Sequence, residues 1–131
     1  MKVITIKQPY ASMIINGYKK YEFRSWKTNY RGKLLIHAGS SVDKEDMEYY
    51  SYLNIEEYPK MKIIGECTLS DCIFIDDSFD KELRKNKIYS KHSRKGLYAW
   101  KLDNIKMYNK YIDIKGQLGL WNYGDKDEKE N

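Results

Sequence analysis

Cysteine and histidine are scarce in this chain, which limits the chemistry that it can support. Its 131 residues include two cysteines, Cys67 and Cys72, and two histidines, His37 and His92. Two cysteines within one alternating apolar stretch indicate small buried side chains rather than a disulfide framework. Tetrahedral zinc needs four convergent ligands, and no histidine lies beside either cysteine. We therefore predict no metal site and no cofactor.

Long apolar runs and flexible linkers are also missing. A helix that crosses a bilayer needs about 20 consecutive apolar residues, and no segment approaches that length. The opening six residues are too short and turn polar too soon for a secretory signal. We predict one domain over residues 1–124, without a membrane partner and in the cytoplasm. The sequence indicates no particular oligomeric state.

Acidic residues are outnumbered by basic ones, which favours an anionic partner. Lysine and arginine total 24 against 19 aspartates and glutamates, a net charge of +5 with a pI near 9.0. Basic residues crowd the segment 81–95, predicted as a short helix and loop, although such a run is often only a solvated surface. Residues 125–131 are mainly acidic, and we predict a flexible charged tail there. The candidates for phosphate contacts in the basic segment are Arg84, Lys87, Lys91 and Arg94.

The hydrophobic pattern predicts more strands than helices. A helix is expected to begin at Gln8-Pro9 and to end at Gly17 in a left-handed conformation, and a second is expected over residues 42–53, capped by Ser40 or Ser41. The long strand at 61–75 is expected to bend at Gly65. These elements predict an α+β fold, a mixed and mainly antiparallel sheet curled into a small β-barrel with two or three peripheral helices. Separate strands are predicted near residues 3–6, 20–26, 34–36, 61–75, 96–102, 107–114 and 118–121.

The segment 20–26 alternates in a way that predicts a strand with one polar face. Tyr21 and Phe23 fall on one side, while Glu22, Arg24 and Trp26 fall on the other. One interpretation is a set of charges that neutralise one another on a wet sheet face, each pair contributing at most about 1 kcal/mol. The other interpretation is a binding face. The residues alone favour the first interpretation.

The same stretch has chemistry that suits a nucleobase with an attached phosphate. Lys19 can place an ammonium group on a phosphate, and the rigid fork of Arg24 can bind a phosphate or a base edge with two hydrogen bonds. Glu22 can accept from an exocyclic amine such as N4 of cytosine. Candidate stacking partners for a base, a contact of about 1–3 kcal/mol in single-strand binders, are Tyr10, Trp26, Tyr98 and Trp100.

The remaining aromatic and histidine side chains have ordinary structural interpretations. Trp100 and Trp121 lie in apolar strands and are expected in the core. His37 is expected to form a hydrogen bond at the end of a strand, although its place before a helix could turn it toward a ligand. His92 lies in the basic segment and is expected on an exposed loop.

An ordered series of motifs runs along nearly the whole chain. The motifs are Gln8-Pro9-Tyr10-Ala11 with Gly17, Lys19, Glu22, Arg24 and Trp26, then His37-Ala38, Gly65-Glu66, Tyr98-Ala99-Trp100 and Lys115–Trp121. This series resembles the ASCH domain (activating signal cointegrator homology), a branch of the PUA-like β-barrel superfamily. The resemblance implies a PUA-like barrel with a cleft beside the first helix, proposed for the family as a site for RNA or a modified nucleoside. The implied ligand-binding residues are Gln8, Tyr10, Lys19, Glu22, Arg24, Trp26 and His37.

The resemblance also implies an enzymatic alternative. Some small ASCH proteins resemble amidohydrolases that remove an acyl group from N4 of acetylated cytidine, with a Lys and a Thr in this stretch and a Glu elsewhere. Lys19 matches that Lys, but Glu22 stands where the Thr nucleophile would be. Catalysis would need Glu22 as general base on water and Lys19 as the group that stabilises the oxyanion. We predict recognition of RNA, a nucleoside or a nucleotide first, amidohydrolase activity second, ribonuclease activity third and a protein-interaction module last.

Overall fold

The computed structural model describes residues 1–124, and the tail predicted at 125–131 lies outside the described residues. The strands are β1 (Lys2–Gln8), β2 (Tyr21–Arg24), β3 (Gly32–Val42), β4 (Lys62–Phe74), β5 (Tyr98–Asp113) and β6 (Leu120–Asn122). The α-helices are α1 (Tyr10–Ile15), α2 (Lys44–Tyr49) and α3 (Asp77–Arg84), and 3₁₀ turns lie at Ser51–Leu53 and Lys87–Tyr89.

The strands form one mixed sheet in the order β2-β5-β4-β3-β1-β6. β1 and β3 run parallel, with Val3 opposite Leu35 and Ile6 opposite Ala38, and the other neighbouring pairs are antiparallel. The predicted α+β class, with a mixed, mainly antiparallel sheet and peripheral helices, is confirmed.

The sheet curls strongly, so that its β2 edge returns to β1. β2 stands four places from β1 in the strand order, which would separate them by roughly 19 Å in a flat sheet. Nevertheless Nη2 of Arg24 in β2 donates a hydrogen bond of 2.9 Å to the carbonyl oxygen of Thr5 in β1. Thr5 lies just past the β6 pairing, which ends at Ile4. Within residues 1–124, β2 and β6 are not paired with each other, so the curl leaves a mouth between β2 and β1.

Apolar side chains fill the inside of the curl. Ile4, Ile36, Leu69 and Trp100 are fully buried there, and Trp121 is buried in a smaller cluster with Val3, as expected for the two tryptophans. A further cluster beneath α3 contains Met13, Tyr50, Leu83 and Tyr89. Trp100 and Leu102 of β5 lie in the main core and Ala99 lies in the α3 cluster, so this part of β5 is covered on both faces.

Helix α1 follows β1 directly and covers the main core. Ile14 and Ile15 pack into that core, and the chain turns at Gly17, whose φ of +86° suits glycine and ends the helix where predicted. Gly65 in β4 allows the helix to approach, because a Cβ there would lie 2.3 Å from Cδ1 of Ile15. The register of β4 also shifts at Gly65, in agreement with the predicted bend.

Helix α2 begins later than predicted, and neither serine caps it. β3 continues through Ser40 and Ser41 because Val42 pairs with Gln8 of β1. The N-cap is Asp43, whose carboxylate accepts a hydrogen bond of 2.9 Å from the amide of Asp46. Aspartate fills this role as well as serine does. The prediction of a serine cap was therefore wrong, and both serines remain on the strand.

The strands predicted at 96–102 and 107–114 are one continuous strand of 16 residues, β5. A bulge absorbs the break expected between them, because Asp103 to Lys106 on β5 lies opposite Thr68 to Glu66 on β4, with one extra residue on β5. Asn104 lies in the bulge with a φ of +53°, which asparagine tolerates better than most residues.

Helices in residues 1–124 are all too short or too polar to span a bilayer. Cys67 is buried, Cys72 is half-buried, and both are free thiols. Over the same residues, no group of three His, Cys, Asp or Glu side chains converges in a way that could hold a metal ion.

Candidate functional site

A cavity of about 660 Å³ occupies the mouth between β2 and β1. Its volume lies within the range of small-molecule sites, roughly 300–1,000 Å³. Strand β1, helix α1, strand β3 and the loop after the second 3₁₀ turn all contribute to it. Its lining consists of Thr5 and Lys7, Tyr10, Lys19 and residues 22–26, Gly39, Ser40 and Ser41, and Arg94.

Lys19 is placed by the turn that follows α1. The amides of Tyr18 and Lys19 donate hydrogen bonds of 2.9 and 3.1 Å to the carbonyl oxygen of Met13. These bonds satisfy the end of the helix and reverse the chain immediately after Gly17. Lys19 therefore reaches the cavity from the helix end and not through the alternation of β2.

The ammonium group of Lys19 is almost completely enclosed, since the residue is only 4% exposed. It donates hydrogen bonds to the carbonyl oxygen of Tyr21 and, at 3.1 Å, to Oε1 of Glu22. Its Nζ also lies 4.8 Å from the ring centroid of Phe23 and 5.7 Å from that of Tyr10. These two cation–π contacts partly replace the water that would otherwise solvate the charge.

Glu22 bridges Lys19 to Arg24, which lies on the same face of β2 as the alternation predicted. Nε and Nη2 of Arg24 donate to Oε2 of Glu22 at 3.1 and 2.9 Å. Nη2 also donates a hydrogen bond to the Thr5 carbonyl oxygen across the mouth. Nη1 has no hydrogen-bond partner in the described part of the chain. The Glu22 carboxylate therefore forms ion pairs with two cations, the buried Lys19 and Arg24, which is partly exposed at the mouth.

Burial and charge shift the pKa values of this triad. Burial lowers the pKa of Lys19 below its usual value, and the attraction of Glu22 offsets this only in part. Burial acts to raise the pKa of Glu22, but attraction to Lys19 and Arg24 and their hydrogen bonds outweigh it and lower that pKa. Glu22 therefore stays ionised at neutral pH and is a weak proton acceptor.

Tyr10 is fixed at the rim by acidic residues of α2. Its hydroxyl donates to Asp46, and its oxygen lies 3.1 Å from Oδ2 of Asp43. Burial, followed by the hydrogen bond to Asp46, raises the pKa of Tyr10, so the phenol remains protonated. Lys91 binds the same network through Asp46 at 2.6 Å and Glu45 at 2.8 Å. These ion pairs anchor the loop that carries Arg94.

Of the four phosphate-contact candidates in the basic segment, only Arg94 lines the cavity. Its guanidinium carbon lies 5.1 Å from the ring centroid of Phe23, and Nη1 donates to two backbone carbonyls of the loop. Lys91 is engaged with α2, and Nζ of Lys87 lies 3.9 Å above the ring of Tyr52, outside the cavity. Arg84 is exposed on α3. The basic segment therefore does not act as one cluster at the mouth.

Trp26 and Trp100 form an edge-to-face pair beside the cavity, with ring centroids 4.8 Å apart. Trp26 lines the cavity and is 38% exposed, whereas Trp100 is fully buried beneath it. Nε1 of Trp100 donates a hydrogen bond of 3.4 Å to the Trp26 carbonyl oxygen. Trp26 is therefore the indole that a ligand in the cavity can reach.

Gln8 and His37, both predicted as ligand residues, lie outside the cavity. The Gln8 amide is buried and donates hydrogen bonds of 2.8 Å to Ser12 Oγ and to the Pro59 carbonyl oxygen. His37 is fully buried, and its Nε2 donates to the carbonyl oxygen of Ile114 at 2.6 Å. Burial lowers the pKa of His37, so its ring is neutral. The hydrogen-bonded interpretation of His37 describes its position, and the ligand-facing one does not.

Several lining residues were not predicted from the sequence. Alternation in β1 places Thr5 and Lys7 on the face opposite Ile4 and Ile6, and this signal could have identified Lys7. Nothing in the sequence pattern shows that the far end of β3 turns toward β2. The lining residues that the sequence analysis missed are Thr5, Lys7, Phe23, Ser25, Gly39, Ser40 and Ser41.

Comparisons with known proteins agree with the architecture. The profile of the ASCH domain matches residues 4–112. Human activating signal cointegrator 1 is 30% identical over an alignment 83 residues long, which covers 53% of this chain but only 14% of the human protein. The crystal structure of ASCH from Zymomonas mobilis aligns with a TM-score of 0.57 at 15% identity, covering 98% of this chain and 92% of that one. A mutant of the same bacterial protein aligns with a TM-score of 0.62 at 16% identity, covering 98% and 94%.

Proposed function

The chain belongs to the ASCH domain family, and from this premise we propose that the cavity at the mouth binds one nucleotide unit, either free or within RNA. The proposal treats residues 1–124 as a single binding domain that works in the cytoplasm. Fold likeness alone does not determine a ligand, so the argument depends on the side chains of the site.

The observation that carries the proposal is the charge balance of the cavity. Among residues 1–124, four cationic side chains line it, Lys7, Lys19, Arg24 and Arg94, against one carboxylate, Glu22. Three positive charges therefore remain in excess around a partly enclosed space, where electrostatic attraction is stronger than in bulk water. A phosphate group suits this excess, because it carries up to two negative charges and three acceptor oxygens, and arginine binds it with two parallel hydrogen bonds. The hydroxyls of Ser40 and Ser41 add neutral donors on the opposite wall.

The cavity also has the features that a nucleobase requires. The aromatic rings of Tyr10, Phe23 and Trp26 line it, and Trp26 presents an exposed indole face on which a base can stack. Glu22 uses one acceptor position on Oε1 and two on Oε2. A carboxylate has about four such positions, so one remains on Oε1 for an exocyclic amine.

The same contacts weigh against the hydrolytic alternatives. The hydrogen bonds that hold Glu22 favour its ionised form and lower its pKa, whereas a general base works best with a pKa near the working pH. Neither His37 nor His92 is among the described residues that line the cavity, so a ribonuclease would lack an imidazole there. Amidohydrolase activity retains one favourable feature, the buried Lys19 beside the cavity, and is tested directly.

Nucleotide binding is tested by calorimetric titration with the four nucleosides and their 5′-monophosphates at low salt. We expect the monophosphates to bind at least about tenfold more tightly, since a charge-assisted hydrogen bond contributes about 1.5–3 kcal/mol. Lys7→Gln should weaken monophosphate binding about fivefold and leave nucleoside binding unchanged, because the Lys7 side chain is exposed, makes no hydrogen bond in the described chain and lies 5.8 Å from the ring centroid of Tyr10. Lys44→Gln, an exposed change on α2, is the matched control.

Two results would count against this assignment. Equal affinity for nucleosides and monophosphates would show that the cavity does not bind the phosphate group. Absence of binding at millimolar ligand would show that the cavity is not a nucleotide site. In parallel, N4-acetylcytidine is incubated with the protein, and cytidine release is followed. Turnover that disappears in Lys19→Met would place hydrolysis ahead of recognition.

A further inference from the structure

A row of aromatic rings leads away from the cavity across three strands. Phe74, at the end of β4, is 53% exposed and makes an edge-to-face contact with Tyr98 at 5.6 Å between ring centroids. Tyr98 is half-buried at the start of β5 and stands two residues before Trp100, on the same face of that strand. Trp100 in turn makes an edge-to-face contact with Trp26, which follows the end of β2. The two outer rings, Phe74 and Trp26, are the exposed ones.

Strand register joins this row to the charged residues of the cavity. Arg24 of β2 is directly opposite Tyr98 of β5, which is directly opposite Phe74 of β4. Residues directly opposite in antiparallel strands point to the same face, so Arg24, Tyr98 and Phe74 form one line. Each strand spacing is about 4.8 Å, which places Phe74 roughly 10 Å from Arg24.

We infer that Phe74 and Tyr98 form a stacking surface for a second nucleotide, so that the ligand is a single strand of RNA rather than a free nucleotide. This inference rests on the proposed function, because it extends the ligand of the same cavity. Exposed rings beside a cationic groove are the arrangement by which proteins hold single strands without reading their sequence. The first base lies against Trp26 in the cavity, and its neighbour lies on Phe74.

Arg24 supplies the charge that this geometry needs between the two bases. It stands between the cavity and Tyr98, its side chain is 23% exposed, and its Nη1 has no hydrogen-bond partner in residues 1–124. The phosphate that links two nucleotides would occupy this position. Because Nε and Nη2 are held by Glu22 and Thr5, the guanidinium is oriented before the ligand arrives.

The experiment compares mononucleotides with trinucleotides of the same base. Each nucleoside 5′-monophosphate and the matching RNA trinucleotide are titrated into the wild type, Phe74→Ala, Phe74→Trp and Phe74→Leu. We expect the trinucleotide to bind the wild type at least about tenfold more tightly than the monophosphate, a typical gain for one stacked base. Phe74→Ala and Phe74→Leu should lose that gain, and Phe74→Trp should keep it, with the monophosphate affinity constant throughout.

Controls separate this inference from the proposed function. Tyr52→Ala removes an aromatic side chain of similar exposure, 41%, from a 3₁₀ turn outside both the cavity and this row, and should change neither affinity. Phe74→Leu keeps an apolar side chain at the position, which guards against a loss of folding, and thermal melting of each variant checks it. If monophosphates bind but trinucleotides bind no better, or if Phe74→Leu retains the gain, the stacking surface is refuted while the cavity assignment stands. If neither ligand binds, both assignments fail.

Discussion

Replacing Glu22 with glutamine isolates the charge that holds the centre of the site. The change keeps the size of the side chain and removes its negative charge, which now faces Lys19 at 3.1 Å and Arg24 at 2.9 Å. Arg24 is partly exposed and can turn to water. Lys19 cannot, because the residue is only 4% exposed. The cost of Glu22→Gln therefore falls mainly on one buried ammonium group.

The size of the loss follows from the contacts that remain. Removing one partner of a buried ion pair costs about 3–5 kcal/mol, because the other charge is left without compensation. Lys19 keeps the Tyr21 carbonyl oxygen and the rings of Phe23 and Tyr10, so we expect the lower end, about 3 kcal/mol. For a domain of this length, that loss corresponds to a fall in Tm of about 10 °C.

Urea unfolding followed by tryptophan fluorescence measures this change, with differential scanning calorimetry as a second readout. Glu45→Gln is the matched control: that carboxylate also pairs with a lysine, Lys91, but its side chain is 80% exposed. We expect its effect to stay below about 0.5 kcal/mol, as for other surface pairs. In Glu22→Gln, the added change Lys19→Met should restore most of the lost stability. A loss below 1 kcal/mol for Glu22→Gln, or a further loss on adding Lys19→Met, would refute the reasoning.

Two further predictions concern acid and packing. Asp46 is buried, yet its hydrogen bonds with Lys91 and Tyr10 outweigh burial and lower its pKa. A lowered folded pKa stabilises the protein above the unfolded pKa, so the urea midpoint of the wild type relative to that of Asp46→Asn should be constant from pH 7 to about 5 and fall below about pH 4. Gly65→Ala would place a Cβ 2.4 Å from the carbonyl oxygen of Lys106, and we expect a loss of about 1–3 kcal/mol in urea unfolding. An unchanged difference from Asp46→Asn on acidification, or unchanged stability in Gly65→Ala, would contradict the respective argument.

Local patterns were the part of this fold that the sequence could predict. Alternation placed Glu22 and Arg24 on one face of β2, and Gly17 marked the end of α1, because both depend on residues close in the chain. The hydrophobic pattern supplied the α+β class, and the family resemblance agreed with it. The bulge at Asn104, by contrast, could not be distinguished from a break between two strands, since either can follow polar residues within an apolar pattern.

Long-range geometry accounts for what could not be predicted at the site. Lys7 and Ser40 meet β2 only because the sheet curls, and the curl depends on the packing of the whole core. Arg94 reaches the cavity because Lys91 is anchored on α2, a contact that spans 45 residues. His37 is buried because Trp121 packs against its ring and the Ile114 carbonyl oxygen accepts its hydrogen bond, and neither distant contact can be read from the local pattern.

The hydrogen bond from Arg24 to Thr5 divides the cavity into a side that can be redesigned and a side that cannot. On the β2 side, Arg24 and Glu22 hold the sheet together as well as facing the ligand, so an engineered change of specificity there would also cost stability. On the other side, the side chains of Lys7, Ser40 and Ser41 make no hydrogen bond within residues 1–124. Replacing them should change ligand binding without lowering the stability of the fold. Variants of this domain with new ligand preferences are therefore best sought by varying the ends of β1 and β3.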